Sequence, residues 1–191
     1  MEKGKNMRAT FLLIGFLLAA ATRAQSIALT FDDGLDPRVE TGAAKYNDAI
    51  LGALKEAQVK SILFAAGKRV DCVEGMKLVR AWGEGGHGVA NHTYSHRYLP
   101  YSKVTLKDYL ADMEKNEKLL KDVPGWVRRF RYPYLKEGDT KAKRDGVRRW
   151  LQERGYKSGA VSVDASDWYY DQRFAKWRGQ HPGADVTRWR D

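Results

Sequence analysis

Five short apolar runs, each separated from the next by enough chain for a helix, restrict this sequence to architectures built on parallel strands. Residues 27–31, 61–65, 88–90, 129–132 and 159–163 each read as a strand. Between them lie stretches of helical period. Ala43, Tyr46, Ile50, Leu54 and Ala57 fall three and four apart on one face. Met76, Val79 and Trp82 mark a shorter helix stopped near Gly83. Thr105, with Asp108 three residues on, has the form of a capping box. Leu106, Tyr109, Met113 and Leu120 continue that helix until Pro124 and Gly125 end it. Val147, Trp150 and Leu151 belong to a fourth helix, closed by Gly155. Connections of this length do not make hairpins. They make right-handed crossovers between parallel strands. The class is α/β, either barrel-like or doubly wound.

Both architectures bind ligands at the carboxyl ends of their strands, where the loops converge. The reactive residues sort to those ends. Asp32 and Asp33 follow the first strand, residues 91–96 the third, residues 131–134 the fourth and residues 164–168 the fifth. One cleft should therefore hold all four clusters.

Their chemistry points to a metal. His92 and His96 are four apart, a spacing that in a helical turn brings two imidazoles to one face and one ion. Asp33 supplies a third donor from a neighbouring strand end. Two histidines and one carboxylate leave positions open for water and substrate, as a catalytic site requires. Asp32 and Asp33 repel each other as a bare pair. A dication at one relieves this, and the other can then accept a proton from an acidified water. Arg131 offers a planar fork that could orient Asp32, or it makes a surface ion pair. Pro133 fixes the backbone beside Tyr134 and could aim a peptide N–H at a developing oxyanion. Asp167 sits beside Trp168, whose ring either packs on a sugar face or joins the core. His87 precedes the third strand and reads as structural, and His181 reads as a loop residue. The set is one that would activate a water for hydrolysis.

Composition narrows the setting. Lys3, Lys5 and Arg8 precede an apolar stretch over residues 11–21, too short to span a bilayer comfortably, so residues 1–24 read as a signal peptide of an exported protein. Stable membrane insertion after cleavage is not expected. A single cysteine, Cys72, excludes a disulfide scaffold and reads as a small, at least half-buried side chain. The net charge of +10 falls to +7 once four basic residues and one acidic residue leave with the signal. That excess is dispersed along the chain, without a nucleic-acid-binding motif, so no nucleic-acid partner is expected.

Four segments together resemble the polysaccharide deacetylase family with the NodB-homology domain, carbohydrate esterase family 4. They are Thr30-Phe31-Asp32-Asp33-Gly34, His92-Thr93-Tyr94-Ser95-His96, Arg131-Tyr132-Pro133-Tyr134 and Asp164-Ala165-Ser166-Asp167-Trp168. The resemblance implies a distorted (β/α) barrel. It implies one divalent metal ion, usually zinc, with cobalt or nickel as alternatives, held by Asp33, His92 and His96. Asp32 would be the general base and Arg131 its positioner. The Tyr134 N–H would stabilise the oxyanion, and Asp167 would tune the acid that protonates the leaving amine. The implied substrate is an N-acetylated, or O-acetylated, glycan such as peptidoglycan or a chitin-like polymer. A non-catalytic glycan-binding relative and a metal amidase acting on a non-sugar amide are the competing readings. The family's fifth motif, an apolar strand running into a histidine, has no counterpart here. The expectation is a domain over residues 25–191 whose barrel is incomplete at the C-terminus, which binds metal but turns over weakly.

Overall fold

The computed structural model describes residues 26–186, and the signal segment expected over residues 1–24 lies outside them. Five strands form one all-parallel sheet in the order β1-β2-β3-β4-β5: Thr30–Asp33, Ile62–Ala65, Gly88–Asn91, Trp126–Phe130 and Lys157–Ser158. A sheet whose strand order never reverses is wound in one direction. That is the winding of a barrel and excludes the doubly wound alternative. Among the described residues β1 and β5 remain the two edges.

The helices are α1 (Ala43–Glu56), α2 (Gly67–Val70), α3 (Val73–Glu84), α4 (Leu106–Leu120), α5 (Lys141–Glu153) and α6 (Asp167–Gln180), with a 3-10 turn at Pro133–Leu135. None is long and apolar enough to cross a membrane. Their starts follow local chemistry. Thr105 accepts a hydrogen bond from the Asp108 N–H and donates its hydroxyl to the Asp108 carboxylate. Thr140 caps α5 at Lys143, and Cys72, half-buried, caps α3 at Gly75. At the end of α5, Gly155 takes φ +68°, its N–H reaching Gln152 and that of Tyr156 reaching Leu151. This is a Schellman closure.

Two apolar clusters cover the sheet. Leu54, Leu63, Val79, Trp82, Val89 and Leu120 join α1, α3 and α4 to β2 and β3. Tyr109, Met113, Phe130, Val147, Trp150 and Tyr156 join α4 and α5 to β4. Trp126 packs against both, so the two behave as one core.

Three strands differ from the sequence expectation. β1 starts at Thr30 rather than Ile27, because its partner β2 starts at Ile62, opposite Thr30. Ile27 and Leu29 are exposed. β4 starts at Trp126 and pairs with β3 through an irregular register that ends at Phe130. Residues 159–163 are not a strand: β5 stops at Ser158, and the Gly159 carbonyl is taken by Arg131 Nε at 2.8 Å instead of a ladder partner. α6 was not anticipated. Its apolar residues follow no face, which removes the periodic signal, and none of its residues is buried.

Candidate functional site

β1 carries both aspartates to its carboxyl end. Asp33 and Gly34 take φ of 71° and 82°, a left-handed bend that Gly34 adopts freely and Asp33 only under constraint. Neighbours in a strand ordinarily face opposite sides, yet here both carboxylates approach one imidazole. His92 Nε2 lies 3.6 Å from Asp33 Oδ1 and 3.9 Å from Asp32 Oδ2. His96 Nε2 lies 3.2 Å from the same Asp33 Oδ1.

The two histidines do not reach this point through a helical turn. After β3 the chain runs through a loop with positive φ at Thr93 (61°) and His96 (52°). The H-x-x-x-H spacing works here because a bent loop, rather than a helix face, brings the rings together, with centroids 5.0 Å apart.

Electrostatics define what the cluster can hold. His92 is buried and its Nδ1 faces the Arg131 carbonyl at 2.8 Å, so Nδ1 carries the proton. Burial pushes its pKa down to about 4, against the pull of the Asp33 charge, so the ring is neutral near pH 7. Nε2 then presents a lone pair to Asp33. Asp33 Oδ1 is buried with no hydrogen-bond partner. One donor atom from each of Asp33, His92 and His96 lies within 4.8 Å of the others. Ligand bonds of about 2.0–2.2 Å in a tetrahedron put donor atoms about 3.3–3.6 Å apart, close to the two Asp33 separations above. The His92 Nε2 lone pair and the Asp33 carboxylate oxygen repel unless a cation lies between them. The residues present fit a small divalent cation.

Arg131 leaves β4 as a buried side chain bound at three points. Nη1 reaches Asp32 Oδ1 at 2.5 Å, Nη2 reaches Thr30 Oγ1 at 2.9 Å, and Nε reaches the Gly159 carbonyl. Its guanidinium lies 4.0 Å from the Phe64 ring centroid. The surface ion-pair reading is excluded. Asp32 is thereby fixed beside the cluster rather than in it. Burial raises its pKa; Arg131 and His96 oppose the rise, and the Asp167 charge adds to it.

Pro133 and Tyr134 follow directly. Tyr134 is left-handed (φ 57°, ψ 13°), as is Leu135, each at a cost of about 1–3 kcal/mol that surrounding contacts must offset. The Tyr134 ring lies 4.7 Å from that of His96 and 5.3 Å from that of Tyr98, so its side chain flanks the cluster. Asp167 opens α6, close enough to act on Asp32 through its charge. Trp168 is 59% exposed, which excludes the core-packing reading. An open groove of about 320 Å³ leads from His96 past Ser95 and Tyr94 to Lys68 and Arg38. His87 is structural: it is buried, and its Nδ1 accepts the Ser61 N–H. His181 caps the end of α6 and stacks on Trp177.

Sequence reasoning missed the polar residues beneath the histidine loop. Asn91, Asp112 and Asn116 are buried and bonded to it or to one another. A signal was available: Asp112 and Asn116 interrupt the apolar face of α4 four residues apart.

Comparison with known proteins gives a consistent picture. The family model described as polysaccharide deacetylase matches residues 19–150. A peptidoglycan-N-acetylglucosamine deacetylase of Bacillus cereus is 32% identical over 143 residues, covering 74% of this chain and 46% of that protein. The chain thus spans about half the length of the curated relatives it matches. The crystal structure of the Bc1960 peptidoglycan N-acetylglucosamine deacetylase superposes with a TM-score of 0.59 at 30% identity, covering 74% of this chain and 59% of that one. A family 4 carbohydrate esterase from Streptomyces lividans, in complex with acetate, shares the fold with a TM-score of 0.59 at 24% identity, covering 75% and 66%.

Proposed function

The chain belongs to the polysaccharide deacetylase family, and from that premise we propose that it takes part in hydrolysing acetyl groups from a glycan. The substrate is an N-acetylated polymer, with peptidoglycan first and chitin-like or O-acetylated glycans as alternatives. The B. cereus relatives support the first choice by their activity. The setting is periplasmic or extracellular, supported by the basic and apolar segment before residue 25.

One observation carries the reading: three atoms of Asp33, His92 and His96 able to ligate a metal converge while Asp32 is held 3.9 Å from one of them by a buried arginine. Asp33, His92 and His96 hold one divalent ion, zinc by preference for this donor set, with cobalt or nickel able to replace it. Bound there, the ion supplies an acidified water and a positive charge for the acyl oxygen. Asp32 takes the proton from the attacking water. Its raised pKa makes it a better base than an ordinary aspartate, and Arg131 keeps it oriented and ionised. The N–H of Tyr134, the residue whose ring lies against His96, receives the developing oxyanion. Asp167 adjusts the proton inventory through its field on Asp32, and Trp168 offers an exposed ring to the sugar.

The test is acetate release from peptidoglycan fragments and chitin oligomers with added zinc, cobalt or nickel. The proposal expects metal-dependent release that Asp32→Asn abolishes while metal stays bound. Metal binding without acetate from any glycan would favour a non-catalytic relative. Release from simple acetamides but not from glycans would favour a general amidase.

A further inference from the structure

The loop that carries both histidines is in a costly conformation. Thr93 and His96 are left-handed without being glycine, each worth about 1–3 kcal/mol of strain. Such a backbone persists only where its surroundings fix it, and here the fixing groups come from α4. Its inward face, otherwise Tyr109, Met113 and Leu120, is broken by buried Asp112 and Asn116. A helix gains nothing from buried polar side chains unless they are bonded elsewhere.

Their bonds converge on the loop and the strand ends that frame it. One Asp112 carboxylate oxygen accepts the Ser95 N–H at 2.9 Å and the other accepts the Ser95 hydroxyl. The Asp112 carbonyl accepts the Tyr94 N–H at 3.2 Å. Asn116 donates to the Ala65 carbonyl and to Asn91 Oδ1, both at 2.9 Å. That same Asn91 oxygen accepts the Thr93 N–H, and the Asn91 amide donates to the Met113 carbonyl. The Gly67 and Lys68 N–H groups, at the start of α2, donate to the Thr93 and Tyr94 carbonyls. A side chain at Gly67 would meet Asn116 Oδ1 at 2.5 Å and Tyr94 at 2.6 Å, so a glycine is required there. The backbone between His92 and His96 is bonded by both α4 and α2, and Ser95 is bonded immediately before the His96 ring is aimed at Asp33.

We propose that Asp112 and Asn116 are positioning residues for the metal site: through Ser95, Asn91 and Thr93 they hold the loop in the left-handed form that brings His96 to Asp33. The inference rests on the metal-binding reading above. It assigns a metal-affinity role to two helix residues outside the candidate ligand set.

The experiment measures Zn²⁺ affinity of the purified protein by competition with a chromophoric chelator, together with the visible spectrum of the Co²⁺ form and the melting temperature. Asp112→Ala is expected to weaken Zn²⁺ binding about tenfold or more and to shift the Co²⁺ bands, as loss of outer supports does at metal sites. Asp112→Asn keeps an acceptor for the Ser95 N–H and is expected to restore affinity to within about threefold of the parent. Glu114→Ala is the control. Glu114 sits on the same helix but bonds Trp150 and Arg154, away from the loop, so its loss should lower stability and leave affinity at the parental value. A folded Asp112→Ala protein with parental affinity and spectrum overturns the proposal. So does an equal loss of affinity in Glu114→Ala. Should Asp112→Ala fail to fold, Ser95→Ala removes the hydroxyl contact alone; about two- to fivefold weaker binding supports the proposal and parental binding overturns it. A parent that binds no zinc refutes the metal reading, and this inference with it. A parent that binds zinc while the variants match it refutes this inference alone.

Discussion

Replacing Arg131 by methionine removes three hydrogen bonds at once: to Asp32, to Thr30 and to the Gly159 carbonyl. Hydrogen bonds from a charged group contribute about 1.5–3 kcal/mol each. The three are not lost in full, because the Asp32 side chain is 36% exposed and can regain water. Breaking a buried pair costs about 3–5 kcal/mol, and the discount favours the lower part of that range. For a domain of this size that is a fall in melting temperature of roughly 10 °C. The effect on Asp32 has a definite sign. Burial raises its pKa and Arg131 is the main influence holding it down. Without the guanidinium the pKa rises further, so the acid limb of the activity profile moves to higher pH. Arg131→Lys keeps the charge but loses the fork, and should fall between parent and methionine variant in both readouts. Calorimetry and a pH profile of acetate release check this. A methionine variant melting within about 2 °C of the parent, with an unmoved acid limb, would refute the role given to Arg131.

Other expectations follow from the same structure. His87 and His92 both have pKa values below the ordinary 6.5, mainly through burial. The unfolded chain therefore binds more protons below about pH 6.5, and stability of the metal-free protein should fall as pH drops, for His92 until about 4. Urea midpoints at pH 7 and 4.5 test this, with His87→Gln flattening part of the slope; a midpoint that rises on acidification contradicts it. Gly83→Ala should cost about 3 kcal/mol or more, since its side chain would sit 1.7 Å from the Pro124 carbonyl oxygen. Gly52→Ala, with nothing within 4 Å on α1, should stabilise by about 0.5–1 kcal/mol, and chemical denaturation of the pair separates steric from entropic effects. Trp168→Ala should change stability by less than about 0.5 kcal/mol yet raise KM for polymeric glycan; a loss above about 2 kcal/mol would mean the ring is structural after all.

The site was more legible in the sequence than the strands that carry it. Asp32, Asp33, His92, His96 and Arg131 announce themselves by residue type, and the rule that parallel sheets gather function at one end brings them together. Strand limits depend on partners, which no local pattern reveals. Ile27 and Leu29 look like strand residues but have no register partner on β2. Gly159 looks like the start of a strand, yet its carbonyl serves Arg131 and its Cα packs under Phe64 with no room for a Cβ. The histidine spacing suggests a helical turn, yet a loop carries both rings. Spacing alone cannot tell a helical turn from a loop whose left-handed residues are held by a distant helix. Asp112 and Asn116 escaped notice because their value lies in contacts to residues 17 to 51 positions away.

The most direct test of the account is zinc X-ray absorption on the purified protein at one equivalent of metal. The account predicts one tightly bound ion with two imidazole nitrogens and one carboxylate oxygen at about 2.0–2.2 Å, and loss of that signature in both His96→Ala and Asp33→Ala. Zinc bound without imidazole scattering, or bound equally well by those variants, would contradict it.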